Sequence, residues 1–321
     1  MTARWLRFLL LAQLATLLLL GAALAWFGHD WAGLSLAVLG LPLGYLMLTG
    51  VHVLLQAAWC ARHGAGARNG TQRWRIWLME TWLQMRAFMW LQAWREQAWP
   101  DHLIAPAQAA APGSPSSGSG HKPGNGSGKP GVVLVHGYLC NRAFWNPLLR
   151  RLTALGTPYV AVNLEPMLGN IDAYAPIIDA AVARLASATG QPPVLLAHSM
   201  GGLAARAWLA SGDDQGRRVA GVITVGSPHA GAWIARYANT PNALQMRPHS
   251  AWLRALQASE ARQAQAPLWC IASDCDQLVY PPQTALLAGS MPVQVTGCGH
   301  LELAEHPATW HCLQRALAGA R

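Results

Sequence analysis

Two long apolar stretches open the chain. From Leu6 to Phe27 the sequence is almost wholly apolar, and from Leu34 to Trp59 only His52 and Gln56 are strongly polar. Each stretch exceeds the roughly 20 residues that a helix needs to cross about 30 Å of hydrocarbon. The intervening Gly28-His29-Asp30-Trp31-Ala32-Gly33 is short. Residues 1–62 are therefore expected to form a transmembrane hairpin, with helices at about 6–27 and 34–59. The pattern then changes. Residues 63–104 carry Trp74, Trp77, Trp82, Trp90, Trp94 and Trp99 among Arg73, Arg75, Arg86 and Arg95 at mostly helical spacing. This predicts an amphipathic helix in the membrane interface, where indole rings and arginine stems are both at home. A helix packed on a following domain, or within an oligomer, is the alternative. Residues 105–130 are nearly all Ala, Pro, Gly and Ser with Lys122 and Lys129, a composition that buries too little apolar surface to fold and predicts a flexible tether.

From Gly131 onward short apolar runs alternate with longer helical segments. Strands are expected at Val132–Val135, Tyr159–Val162, Val194–Ala197, Val219–Val225, Leu268–Ala272 and Pro292–Val295. Helices fall between them at about Trp145–Leu155, Ile171–Ala188 and Met200–Ala210, with Ala304–Leu317 at the end. Near-continuous apolar strands separated by helices imply an α/β domain over 131–321, a mostly parallel sheet covered on both faces.

Charge sharpens the topology. The chain has a net charge of +9, yet only two lysines occur, both in the tether, and no DNA-binding motif or long basic run is present, so nucleic acid is not an expected partner. Arg4 and Arg7 flank the start of the first span, while Arg62, Arg68, Arg73, Arg75 and Arg86 follow the second. Cytoplasmic flanks collect arginine, so both ends of the hairpin, and the domain after it, are expected to face the cytoplasm of a bacterial-type inner membrane. A cleaved signal peptide ending near Ala23-Leu24-Ala25 is the rival for the first span. The six cysteines contain no CxxC pair and predict neither a zinc site nor a dense disulfide framework; reduced thiols are expected, although Cys275 and Cys298 precede two loops of interest and are candidates for close approach.

The chemistry concentrates where strand Val194–Ala197 runs into His198-Ser199-Met200-Gly201-Gly202 and then an apolar helix. A nucleophilic serine needs a tight strand-to-helix turn that lifts its Oγ above the sheet, small neighbours, and a helix N-terminus facing the site. Ser199, with Ala197 and Gly201 two residues to either side, meets each requirement. The segment resembles the nucleophile elbow of the α/β-hydrolase family, in particular bacterial lipases in which Ala replaces the first Gly of G-x-S-x-G.

That resemblance implies the rest of the site. Val135-His136-Gly137-Tyr138 resembles the His-Gly-x turn of these lipases and implies an oxyanion hole built from the backbone N–H groups of Tyr138 and Met200. Asp274-Cys275-Asp276-Gln277-Leu278-Val279-Tyr280-Pro281 resembles the family's Asp-x-x-Val-x-Pro loop and implies Asp276 as the acid, with Asp274 as its rival. Gly297-Cys298-Gly299-His300 resembles the Gly-x-Gly-His loop and implies His300 as the general base. Gly226-Ser227-Pro228-His229-Ala230-Gly231 resembles a lipase Thr-Pro-His-x-Gly segment. The residues after it, including Trp233, Tyr237, Leu244, Met246, Trp252 and Leu253, are candidates for an acyl pocket or lid, or for ordinary core.

The expected protein is a serine hydrolase cleaving carboxylic esters, lipid esters above all, through an acyl-enzyme on Ser199, with no cofactor and no metal. Acyl transfer with the same triad is one alternative, and a non-catalytic membrane scaffold on the same fold is another.

Overall fold

The computed structural model describes residues 2–63, 70–103, 130–260 and 266–319; Arg68 and the expected tether at 105–130, save its last residue, lie outside the described residues. Two long helices, α1 (Thr2–Trp26) and α2 (Asp30–Arg62), form an antiparallel pair joined by a turn at Phe27–His29. Both are long and apolar enough to cross a membrane, and only 11% and 6% of their most apolar windows are buried within the protein. Leu19 and Met47, for example, are 72% and 70% exposed. A helix from a soluble core would bury such side chains.

Helix α3 (Gly70–Gln84) continues through a π-helical stretch, Met85–Leu91, and a last turn, Gln92–Trp94. It has two faces. Trp74, Leu78, Trp82 and Trp90 are exposed, whereas Ile76, Glu80, Leu83 and Ala87 are buried against α2 and the globular domain. The segment therefore packs on the domain as well as presenting indole rings outward. The chain then reaches the sheet edge, where His102 pairs antiparallel with Tyr159 and Asp101 binds Arg142 (2.7 Å), Arg184 and the N–H of Ala161.

Six parallel strands form the domain's sheet in the order β2-β1-β3-β4-β5-β6. They are β1 (Val132–Val135), β2 (Tyr159–Ala161), β3 (Val194–His198), β4 (Gly221–Val225), β5 (Leu268–Ser273) and β6 (Met291–Val295). Every expected strand is present, with ends shifted by at most two residues. Alternate side chains feed two cores. Val133, Val135, Leu195 and Ala197 join the cluster under α5 (Ala175–Thr189), α6 (Met200–Ala210) and α7 (Ala251–Glu260). Val132, Leu134, Val194 and Leu196 join the opposite one, under α4 (Asn146–Ala154) and α8 (Pro307–Gly319). Helices on both faces make these strands fully buried, hence the near-continuous apolar runs in the sequence.

The connection order places the site. The chain goes from β1 out to β2 and returns to β3 on β1's other side, so loops leaving the carboxyl ends of β1 and β3 diverge and open a crevice between them.

Candidate active site

Ser199 sits in that crevice, between β3 and α6, with φ 55° and ψ −128°. A non-glycine residue at positive φ is strained and persists where its surroundings over-determine it. Here its N–H is held by the Val225 carbonyl at 2.8 Å, and its carbonyl accepts the N–H of Gly202 at 3.0 Å. Gly201 must be small: a Cβ there would lie 2.5 Å from the His136 carbonyl oxygen and 2.7 Å from that of Val135.

His300, beyond β6, and Asp276, beyond β5, meet Ser199 in one line. His300 Nε2 is 3.0 Å from Ser199 Oγ, and His300 Nδ1 is 2.7 Å from Asp276 Oδ2. The other oxygen of Asp276 accepts the N–H groups of Leu278 and Val279, both at 2.8 Å. Asp274 turns elsewhere, accepting the N–H of Gly297 at 2.8 Å. Burial alone would lower the pKa of His300, but the charge of Asp276, its hydrogen bond and the charge of Glu80 outweigh it and hold the imidazole above its ordinary value.

Tyr138 and Met200 each lie three residues beyond the paired Val135 and Ala197 of neighbouring strands, and Gly137, just before Tyr138, lies against Ser199. Met200 opens α6, and N–H groups in a first helical turn have no partner within the helix. The Tyr138 hydroxyl contacts Thr240 Oγ1 at 3.1 Å. His136 explains the His-Gly turn. Its Nδ1 lies 2.9 Å from the Gly137 carbonyl and its Nε2 accepts the N–H of Leu164 at 3.0 Å, an arrangement for a neutral ring; burial brings its pKa down to about 4.

Other candidates go to structural work. His229 is buried beside Thr224 and Arg206, and burial, then the Arg206 charge, keeps its pKa well below the ordinary value. Met246 and Leu253 are core, and the Trp252 indole donates to Asp172 at 2.8 Å. Trp233 lies 6.5 Å from Tyr280 beside the Asp276 loop and packs on Tyr237, so these two stay near the site. Among the described residues no disulfide forms, and Cys275 and Cys298 are not bonded to each other.

Three residues around Ser199, His300 and Asp276 were not singled out by any motif in the sequence. The His198 ring, 4.7 Å from that of His300, donates from Nε2 to the His300 carbonyl at 3.0 Å. Gln56 of α2 donates to the Asp276 carbonyl at 2.6 Å. Glu80 of α3 accepts from the loop that carries His300. For Glu80 a signal existed: it is the sole acidic residue between Asp30 and Glu96.

Comparison with known proteins agrees with this architecture. Residues 132–265 match the model of the alpha/beta hydrolase family. A mature lipase of Bacillus licheniformis, BlEst2, superimposes with a TM-score of 0.52 at 15% identity, over 60% of this chain and 93% of that one. Lipase B of Aspergillus fumigatus gives 0.51 at 19% identity, over 57% of this chain and 51% of its own. The propeptide form of BlEst2 gives 0.53 at 16%, over 60% of this chain and half of that one. No curated protein sequence matches the chain. The globular part of the chain thus has the α/β-hydrolase fold, and the structures that share it include lipases.

Proposed function

We propose that the protein is a membrane-anchored serine esterase acting on lipid esters. The observation that carries the reading is the continuous line from Ser199 Oγ through His300 to Asp276, at 3.0 and 2.7 Å, above the carboxyl ends of the strands. His300 takes the Ser199 proton as Oγ attacks the ester carbonyl. Asp276 fixes the tautomer with Nε2 facing the serine and stabilises the imidazolium. The N–H groups of Tyr138 and Met200 receive the oxyanion, and His300 returns the proton to the leaving alkoxide; water then resolves the acyl-enzyme by the same steps.

The anchor supports a lipid substrate. The rest of the protein packs on one end of the hairpin: Arg7 Nε donates to the Ala93 carbonyl at 2.5 Å and Thr49 meets Gln84, both in the segment that follows the hairpin, while Gln56 and Trp59 meet Asp276 and Tyr280 of the globular domain. Residues 8–26 rise about 28 Å, close to the thickness of a bilayer core. The triad then stands at the bilayer surface. Cleavage near Ala25 would discard the Arg7 contact, which favours a retained two-span anchor over a signal peptide. The arginines on both flanks favour a cytoplasmic domain, and alkaline phosphatase activity in a fusion after Arg321 would reverse that orientation.

Fluorophosphonate labelling tests the chemistry. Wild type is expected to label and to hydrolyse p-nitrophenyl esters, and Ser199→Ala to lose both, by about 10⁴–10⁶ in rate. Labelling of the Ser199→Ala protein would move the nucleophile elsewhere.

A further inference from the structure

Glu80 is fully buried, and among the described residues its hydrogen-bond donors come from the two loops that carry the candidate acid and base. Its Oε1 accepts the N–H groups of Leu301 and Glu302, each at 3.0 Å, and Oε2 shares the Leu301 N–H at 3.1 Å. Oε2 also accepts from Gln277 Nε2 at 2.7 Å, and Gln277 Oε1 in turn accepts the His300 N–H at 3.1 Å. The residues gripped are those immediately following Asp276 and His300. Gly299 makes room for the grip, since a Cβ there would run into the Glu80 carboxylate.

A buried carboxylate is costly, and docking one helix on a domain needs only apolar contact. N–H donors supplied to both oxygens suit the ionised form, because a carboxylate is purely an acceptor. Burial pushes the Glu80 pKa up, and the bonds from Glu302, Leu301 and Gln277 oppose that rise.

We infer that Glu80, contributed by the helix that follows the membrane hairpin, is a positioning residue that clamps the Asp276 and His300 loops in register. The inference rests on reading Ser199, His300 and Asp276 as the triad. It makes the anchor segment part of the catalytic apparatus. Around it, Arg75 binds Glu302 and donates to the Gly297 carbonyl at 2.7 Å, and Arg86 binds Glu305. The charged or titratable groups facing His300 are Asp276, Glu80, His198 and His52.

The test uses full-length protein in detergent, with labelling at Ser199 and the pH profile of ester hydrolysis as readouts. Glu80→Gln keeps the volume but replaces an acceptor with a donor and removes the charge. Its kcat is expected to fall about tenfold to a hundredfold with little change in KM, the scale of a misplaced catalytic group. The acid limb should also move to lower pH, because one negative charge near the base is gone. Glu80→Asp retains the charge and should leave the acid limb in place. Gln277→Leu breaks the relay to the His300 N–H while leaving Glu80 charged, so it should lower kcat without moving the limb. A folded Glu80→Gln protein with wild-type kcat and an unmoved limb overturns the inference. If that variant yields no folded protein, Gln277→Leu decides, and wild-type kcat there has the same force. Failure of the wild type to label at Ser199 would instead bring down the triad reading, and the role of Glu80 with it.

Discussion

His300 directs Nδ1 at Asp276 Oδ2, 2.7 Å away, although Asp274 lies only two residues earlier on the same loop. The loop separates the two by task. Asp276 is anchored by two main-chain N–H groups and aims its free oxygen at the imidazole, while Asp274 ties its loop to Gly297. Asp276→Asn is therefore expected to lower kcat by about 10⁴, since an amide stabilises the wrong tautomer. Asp274→Asn keeps an acceptor for Gly297 and should cost less than about tenfold. Rates of p-nitrophenyl ester hydrolysis by the two variants decide, and the reverse ranking would transfer the acid role to Asp274.

The environment of His300 sets a pH dependence. Its burial favours the neutral ring, but the charge and hydrogen bond of Asp276 prevail and raise the pKa. A general base must be unprotonated, so kcat/KM should fall as pH drops through that raised value. The acid limb is expected above the ordinary imidazole value of about 6.5. A limb centred below it would mean that desolvation outweighs Asp276.

His136 gives the opposite sign in stability. Burial lowers its folded pKa to about 4, so the neutral ring contributes stability that is complete above the unfolded value and declines as pH falls from about 6.5 towards 4, reaching a loss on the order of 3 kcal/mol. His198 and His229, both also lowered first by burial, act in the same direction. The thermal unfolding midpoint is expected to drop between pH 7 and pH 5. An unchanged midpoint would show that these rings are not buried neutral.

Much of this was legible in the sequence because it is local. The strands are apolar runs bounded by loops, and the elbow at Ser199 needs only its neighbours to be recognised. The Asp276 and His300 loops carry their own motifs. The contacts of Gln56 with Asp276 and of Glu80 with Leu301 span 220 and 221 residues, so no local pattern encodes them. The alternation of Trp and Arg over 71–100 is equally compatible with a lipid surface and a protein surface. The difference lies in where Glu80 goes. A lone carboxylate on the packed face of a tryptophan-rich helix is poorly suited to lipid and well suited to main-chain donors.

That same packing bears on whether the chain from Gly131 onward can work alone as a soluble enzyme. Removing residues 1–130 deletes Gln56 and Glu80, and with them the contacts on both the Asp276 and His300 loops. It also deletes Gln92, whose side chain accepts the Asn141 N–H at 2.7 Å and whose carbonyl accepts from Asn141 Nδ2 at 2.8 Å, two bonds just beyond the His136–Tyr138 turn. Phe88 and Trp99 leave the core cluster that holds Phe144 and Trp145, exposing apolar surface worth a few kcal/mol at about 25 cal/mol per Å². Stability of a domain is only about 5–15 kcal/mol, so a loss of this size matters. A chain beginning at Gly131 is expected to aggregate or to label with fluorophosphonate at least about a hundredfold more slowly than the full chain. One beginning at Gly70 retains Glu80, Phe88, Gln92 and Trp99 and should keep measurable labelling. Equal labelling rates for the full chain and the chain from Gly131 would show that the anchor segment is dispensable to the site.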